Sequence, residues 1–328
     1  MNQKSSTLLE EILQGNRRSM AKAITLLEST NPESFEKGQE LLDSLLPYTG
    51  KALRIGITGV PGVGKSTFIE AFGLYLIEIG YRVAVLAVDP SSPITGGSIM
   101  GDKTRMKELS QNPDSFIRPS PSSGFLGGVA RKTRETILIC EAAGYEIIFV
   151  ETVGVGQSET LVDSMVDLFM LLLLPNAGDE LQGIKKGVLE LADLIVINKS
   201  DGVQESQAIT TQSEYKRAMQ LLSSSKNSWE PQILRSSALE KQGIDKIWEA
   251  VNNFRESLKN SGEWENQRIS QYEKWMWTLV EEGLLKNFLK NKIIQKKIPE
   301  LEKFVASGEI LPANAARELL EIWHSSKN

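Results

Sequence analysis

Gly59-Val60-Pro61-Gly62-Val63-Gly64-Lys65-Ser66-Thr67 follows an apolar run at residues 53–58 and precedes a helical pattern at residues 68–79. A G-x-x-x-x-G-K-S loop between a strand and a helix is a phosphate cradle. Its glycines let backbone N–H groups turn inward around a polyphosphate, Lys65 reaches the terminal phosphates, and the Ser66 hydroxyl can ligate Mg²⁺. A glycine-rich turn without a ligand is the competing reading, and the strand-loop-helix context argues against it. All nine residues from Gly59 to Thr67 are therefore placed at a nucleotide, with Lys65 also acting on the reacting phosphate.

Working outward, short aliphatic or β-branched runs at 53–58, 83–88, 146–150, 168–174, 194–197 and 233–234 alternate with helical stretches. Their hydrophobicity is continuous rather than alternating, the mark of strands covered on both faces. The expected class is α/β, a P-loop NTPase whose mostly parallel sheet is covered by helices. Leu8, Leu9, Ile12, Leu13, Met20, Ala23, Ile24, Leu27, Leu41, Leu42 and Leu45 recur at helical spacing, giving an N-terminal helical extension over 1–50. The P-loop domain then spans 51–260. After Asn260-Ser261-Gly262 the helical pattern returns, with Tyr272, Trp275, Met276, Leu279, Val280 and Leu284 on one face and Ala316, Leu319, Leu320 and Trp323 on another. Residues 261–328 read as a C-terminal helical dimerisation arm, with packing on its own domain as the alternative to joining a second copy.

The base is decided by Asn198-Lys199-Ser200-Asp201, directly after the run 194–197. The Asp201 carboxylate can accept both the N1 and N2 hydrogens of guanine, which adenine does not offer together. Asn198 would tie this loop to the P-loop, and the Lys199 stem would lie along the base. Ser236-Ser237-Ala238-Leu239, after the next strand, is expected to close over it, which adds Ser237, Ala238 and Leu239 to the site. A polar helix start is the bland alternative for the Asn-Lys-x-Asp segment alone.

Magnesium needs oxygen ligands beyond Ser66, and Asp89, Glu151 and Asp102 are the candidates. An aspartate after an apolar strand is otherwise a helix cap or turn former. Gly154 can offer its N–H to the γ-phosphate, so loss of that phosphate would release residues 153–160. Val155 stands where small signalling GTPases carry a water-orienting glutamine, so intrinsic hydrolysis is expected to be slow. Gln157 can substitute, or can be an ordinary exposed loop residue. Lys65, Gly154 and Gln157 are thus the residues placed at the chemistry.

Of 328 residues, 37 are Lys or Arg and 42 Asp or Glu, a formal net charge of −5 that argues against nucleic acid or an anionic membrane as the main partner. One cysteine, Cys140, and one histidine, His324, leave no intramolecular disulfide and no Cys/His metal cluster. Cys140 reads as a small core residue and His324 as a surface one. Arg131, Lys132 and Arg134 read either as a solvated helix face or as a contact next to the glycine-rich 124–128. No apolar run reaches membrane-spanning length, and the N-terminal residues lack a signal-like apolar stretch, so a cytoplasmic location is expected.

The segments 59–67, 88–92, 97–106, 151–159, 174–183 and 198–201 together resemble one family, the MeaB-type G-proteins, also called the ArgK or MMAA family. The glutamate-started Glu151-Thr152-Val153-Gly154-Val155-Gly156-Gln157 is more specific than a P-loop alone. The resemblance implies a GTPase, cycling between GTP and GDP with Mg²⁺, that chaperones an adenosylcobalamin-dependent acyl-CoA mutase, usually methylmalonyl-CoA mutase. It implies a homodimer formed through the C-terminal helices, gating of cofactor loading and rescue of inactivated mutase. It also implies that Asp89, Asp102 and Glu151 serve magnesium and that residues 175–186 form an additional switch facing the mutase. Two other readings stay open. A kinase of a basic amino acid or its transport protein needs an acceptor site that the sequence does not mark, and a metallochaperone GTPase needs a Cys/His cargo site that one Cys and one His do not make. A binding module without hydrolysis also remains, because Val155 removes the familiar water positioner.

Overall fold

The computed structural model describes residues 3–88, 106–119, 126–152, 158–175, 186–222 and 229–326. Three helices come first, α1 (Gln3–Leu13), α2 (Arg17–Glu28) and α3 (Pro32–Leu45). Asn16 and Asn31 cap the second and third: their side chains accept from backbone N–H groups that the first helical turn leaves without partners. Ile12, Met20, Ala23, Ile24, Leu27 and Leu45 are buried, so the predicted apolar stripe is the face these helices turn inward.

The sheet is built from β1 (Leu53–Gly59), β2 (Val83–Val88), β3 (Ser115–Arg118), β4 (Ile147–Thr152), β5 (Leu168–Leu173), β6 (Leu194–Ile197) and β7 (Gln232–Arg235). Among the described residues these form one sheet in the order β3-β2-β4-β1-β5-β6-β7, with every pairing parallel. Parallel strands need crossovers, which here include α4 (Lys65–Glu78), α5 (Lys107–Gln111), α6 (Leu126–Ala142), α7 (Ser158–Asp163), α8 (Lys186–Leu191) and α9 (Glu205–Leu222). After β7 comes α10 (Ile244–Ser261), which Gly262 ends in the left-handed conformation at φ +73°.

Two strand readings change. β3 was not foreseen: Ser115-Phe-Ile-Arg118 is a four-residue edge strand, too short to show a period, and its place follows from pairing with β2. β4 lies further along the chain than 146–150, so Glu151 and Thr152 belong to the strand itself. Ile57 of β1 pairs with Glu151 in register, which sets this carboxylate beside the end of β1 where the phosphate loop begins. The core under that loop is aromatic: Phe72 of α4 lies 5.8 Å from Phe68, 5.4 Å from Phe149 and 6.3 Å from Trp248 of α10, centroid to centroid.

The remaining helices are α11 (Glu263–Lys290), α12 (Lys292–Ala306) and α13 (Pro312–Ser325). The chain divides into two compact units, Met1–Ile269 and Ser270–Asn328, so the division falls within α11. In the first unit, Arg268 of α11 is nearly buried and donates to both Asp167 oxygens at 2.8 and 2.7 Å and to the Ala52 carbonyl at 2.6 Å. In the second, Phe288 meets Trp323 edge-on at 5.7 Å, while Lys297 bridges Glu300 and Glu318 at 3.0 and 3.1 Å. Among the described residues no helix is long and apolar enough to cross a membrane.

Candidate nucleotide-binding site

The phosphate loop leaves the C-terminal end of β1, which lies between β4 and β5 in the middle of the sheet, the place where open α/β sheets bind ligands. Two of its glycines have a steric reason. A Cβ on Gly59 would stand 2.6 Å from the Leu172 carbonyl oxygen of β5, closer than carbon and oxygen can pack. Gly64 sits at φ +90° just ahead of α4, and a Cβ there would press to 3.0 Å from the Asn198 amide nitrogen. The N-terminal N–H groups of α4, with the helix dipole behind them, then face the region where phosphate oxygens would sit. Lys65 donates from Nζ to the Gly59 carbonyl at 2.8 Å, across the loop it follows.

The base loop and the phosphate loop are joined through one buried side chain. Asn198 Nδ2 donates to the Val63 carbonyl at 2.9 Å, and its Oδ1 accepts from the Ala238 N–H at 3.2 Å. Lys199 is a non-glycine residue in the left-handed region at φ +57°, and its Nζ donates to the Gly62 carbonyl at 2.8 Å. That unusual backbone accompanies a stem laid back toward the phosphate loop, whereas the sequence reading laid it along the base. Ser237 donates from Oγ to Asp201 Oδ2 and accepts from the Glu240 N–H at 3.1 Å. The loop holding it is pinned by paired backbone bonds between Ser237 and Gln242 and by Ser200 N–H to the Ser236 carbonyl at 3.0 Å. Gly64, Thr67, Asn198, Lys199, Asp201 and Ala238 line a cavity of about 530 Å³, the size range of small-ligand sites.

On the phosphate side, Ser66 donates from Oγ to Glu151 Oε1 at 3.4 Å, and Thr58 and Thr152 hydroxyls bond at 2.8 Å. A hydroxyl at the head of α4 and a carboxylate from the neighbouring strand are both hard oxygen donors, and their spacing admits a small divalent cation between them, so these residues fit Mg²⁺. Asp89, Asp102, Gly154 and Gln157 lie outside the described residues, as do residues 176–185 of the segment expected to act as a further switch. Among the described residues no group of three or more His, Cys, Asp or Glu side chains converges on a common point.

Other sequence readings find their places away from the site. Arg131 bonds Glu135 at 3.0 Å and lies 4.5 Å over the Phe35 ring of α3, and Arg134 donates to the Ser164 hydroxyl in the turn after α7 at 2.8 Å, so both tie α6 to neighbouring segments. Cys140 is fully buried, and that burial raises its thiol pKa, as suits a core residue. His324 is exposed, with Nδ1 2.9 Å from the Leu320 carbonyl. Sequence reasoning missed Gly202, Val203 and Gln204, which also line the cavity from a 3₁₀ turn after Asp201. Their signal was proximity alone, since Asp-Gly is a turn former. It also missed Thr211, whose buried hydroxyl donates to the Pro175 carbonyl at the root of the 175–186 segment.

A family model described as "Methylmalonyl Co-A mutase-associated GTPase MeaB" matches residues 20–293. GTPase ArgK of Escherichia coli is 47% identical over 319 residues, covering 96% of this chain and 96% of the relative. Methylmalonic aciduria type A homolog, mitochondrial, of Mus musculus is 48% identical over 324 residues, 96% of this chain and 78% of the relative. A solved structure titled LAO/AO transport system kinase aligns with TM-score 0.79 at 39% identity, over 99% of both chains.

Proposed function

The chain belongs to the MeaB family of GTPases, and we propose that it serves as a GTP-driven chaperone of an adenosylcobalamin-dependent acyl-CoA mutase, with methylmalonyl-CoA mutase as the candidate partner. In this reading it gates cofactor loading and protects or reactivates the mutase. The observation that carries the nucleotide half is the bonded unit of Asn198, Lys199, Asp201 and Ser237, which binds the base loop to the carbonyls of the phosphate loop. A guanine held by Asp201 thereby fixes where its phosphates meet Lys65 and the N-terminus of α4. Bound between Ser66, Glu151 and the sequence candidates Asp89 and Asp102, Mg²⁺ would neutralise charge on the terminal phosphates.

Lys65 is assigned to the charge that develops on the transferred phosphoryl group, and Gly154 to its γ-oxygens. Val155 supplies no hydrogen bond to an attacking water, so turnover is expected to be slow alone and faster once the mutase orders Gln157 and residues 175–186. A cytoplasmic homodimer completes the reading. Tyr272, Met276, Val280 and Leu284 share one stripe of α11 and are all exposed in the single chain, the kind of apolar face a second copy would cover.

Single-turnover GTP hydrolysis, measured with and without purified methylmalonyl-CoA mutase, tests the proposal. The mutase should raise the rate, and GTP and GDP should change mutase affinity by the same factors by which the mutase changes theirs. Unchanged hydrolysis with no measurable complex would sink the chaperone reading. Phosphate transferred to a basic amino acid such as arginine, rather than released to water, would install the kinase reading instead.

A further inference from the structure

α5 is a helix of five residues, Lys107–Gln111, too short to hold itself together in water. Its first N–H groups have no partner inside the helix, and Met106, at the capping position, makes no side-chain cap bond. The cap comes from another helix. Glu70 of α4 accepts the Glu108 N–H at 2.8 Å and the Leu109 N–H at 3.4 Å on one carboxylate oxygen, a negative charge where a helix start favours one. A notch completes the joint: a Cβ on Gly73 of α4 would stand 3.0 Å from Leu109 Cδ2, so the glycine makes room for that fully buried leucine. On its other side α5 is held to the edge strand β3, where the Ser115 hydroxyl donates to the Leu109 carbonyl.

Glu70 lies one turn beyond Ser66 on α4, and residues four apart share a helix face. Asp102, the magnesium candidate outside the described residues, stands four residues ahead of Met106 in the chain, a reach of at most about 14 Å. The helix that carries one proposed magnesium ligand thus also grips the point where the chain bearing another rejoins the fold. We propose that Glu70 is a positioning residue of the magnesium site, its carboxylate setting, through α5, where Asp102 can stand relative to Ser66. In this role Glu70 touches neither metal nor nucleotide. The proposal rests on the magnesium reading above. A glutamate on a helix surface otherwise reads as an ordinary solvated charge, and the two N–H bonds are what set Glu70 apart.

The test is equilibrium binding of a non-hydrolysable imido analogue of GTP to the full chain, titrated with Mg²⁺ and repeated in EDTA. Glu70→Ala should raise the Mg²⁺ concentration at half-effect about fivefold, the worth of one helix cap, while affinity in EDTA stays as in the parent. Glu70→Gln keeps an acceptor for both N–H groups and should recover most of the loss. Asp102→Asn should raise the same midpoint, and adding Glu70→Ala to it should shift it little further, because the two act in one step. Glu70 is half-buried and lies outside the apolar core, so its truncation does not endanger the fold. An unchanged midpoint in Glu70→Ala, with only the urea transition lowered, would overturn the proposal and leave Glu70 a structural cap. Additive shifts in the double variant would overturn it too, by giving Glu70 an effect that does not pass through Asp102. So would a Glu70→Gln as deficient as Glu70→Ala, which assigns the effect to charge alone, and equal losses with Mg²⁺ and in EDTA, which place it on the phosphate loop. Asp102→Asn with the parent's midpoint would instead remove Asp102 from the metal site, and the proposal with it. A parent whose binding ignores Mg²⁺ would overturn the magnesium reading itself.

Discussion

The two ends of the parallel sheet are both rich in polar side chains, yet they are built on opposite plans. At the strand starts, Arg268, Asp167, Arg54 and Glu141 are all nearly buried and saturate one another. Arg268 forks onto both Asp167 oxygens, Arg54 donates from its N–H to Asp167 Oδ2 at 2.8 Å and from Nε to Glu141 at 2.8 Å, and Glu141 accepts the Gly50 N–H at 2.6 Å. At the strand ends, Lys65 and Lys199 rest on loop carbonyls, and Ser66 reaches Glu151 only at 3.4 Å. Bonds of the first kind are closed within the protein. Those of the second kind are ones an anionic ligand with its cation can replace with stronger, charge-assisted contacts. The same inventory of residues thus fixes the frame at one end and leaves the other ready for exchange.

The sharpest way to break this contrast is to remove one partner from the closed end. Arg268→Met keeps the stem but leaves Asp167 buried with its guanidinium gone and the Ala52 carbonyl without that donor. A buried charge stripped of its partner costs about 3–5 kcal/mol, to be read as a shift in the urea unfolding midpoint of the first compact unit. A loss below about 1 kcal/mol would mean that water or a shifted side chain replaces Arg268, and that this end is no more closed than the other. Lys65→Ala should do the reverse. Stability should barely move, because the bond lost is one to a loop carbonyl, whereas GTP turnover or affinity should fall well over tenfold, roughly 1.5–3 kcal/mol of charge-assisted contact. Normal turnover in a folded variant would remove Lys65 from the chemistry.

The ligand end was far more legible in the sequence than the closed end, and the reason is spacing. Phosphate and guanine impose local demands, so Gly59 to Thr67 and Asn198 to Asp201 show as short contiguous motifs, and β1 and β6 are marked by the apolar runs before them. The closed end is assembled from Gly50, Arg54, Glu141, Asp167 and Arg268, which no local pattern joins; their pairing exists only once β1 and β5 are adjacent. Arg131 and Arg134 looked like a basic face for the same reason, since Glu135 is near in sequence but Phe35 and Ser164 are not. Val203 was invisible because an exposed valine in a turn has no sequence signature. The edge strand β3 was missed because four residues beside one neighbour carry too little periodicity.

The smallest effect per measured step concerns a third way to treat a polar group, buried and only half compensated. Asp193, just ahead of β6, accepts the Phe169 N–H at 2.7 Å. The residue as a whole keeps some exposure, but its carboxyl is enclosed, and that burial pushes its pKa up to about 8, with the Asp163 charge adding to the rise. Asp167, by contrast, has the Arg268 fork. A carboxyl whose pKa is raised on folding binds more protons in the native state than in the unfolded chain, so its contribution to stability is full at low pH and is lost as pH climbs toward the folded value. The window runs from the ordinary aspartate range near 4 up to about 8, with a slope no steeper than about 1.4 kcal/mol per pH unit for one proton. Asp193→Asn keeps an acceptor for Phe169 and removes the titration. Urea midpoints at pH 5, 6, 7 and 8 should therefore diverge, the variant gaining on the parent at each step and levelling off above pH 8. Parallel curves through that window would mean that Asp193 stays ionised in the fold, and that the enclosure around it is wetter than its contacts imply.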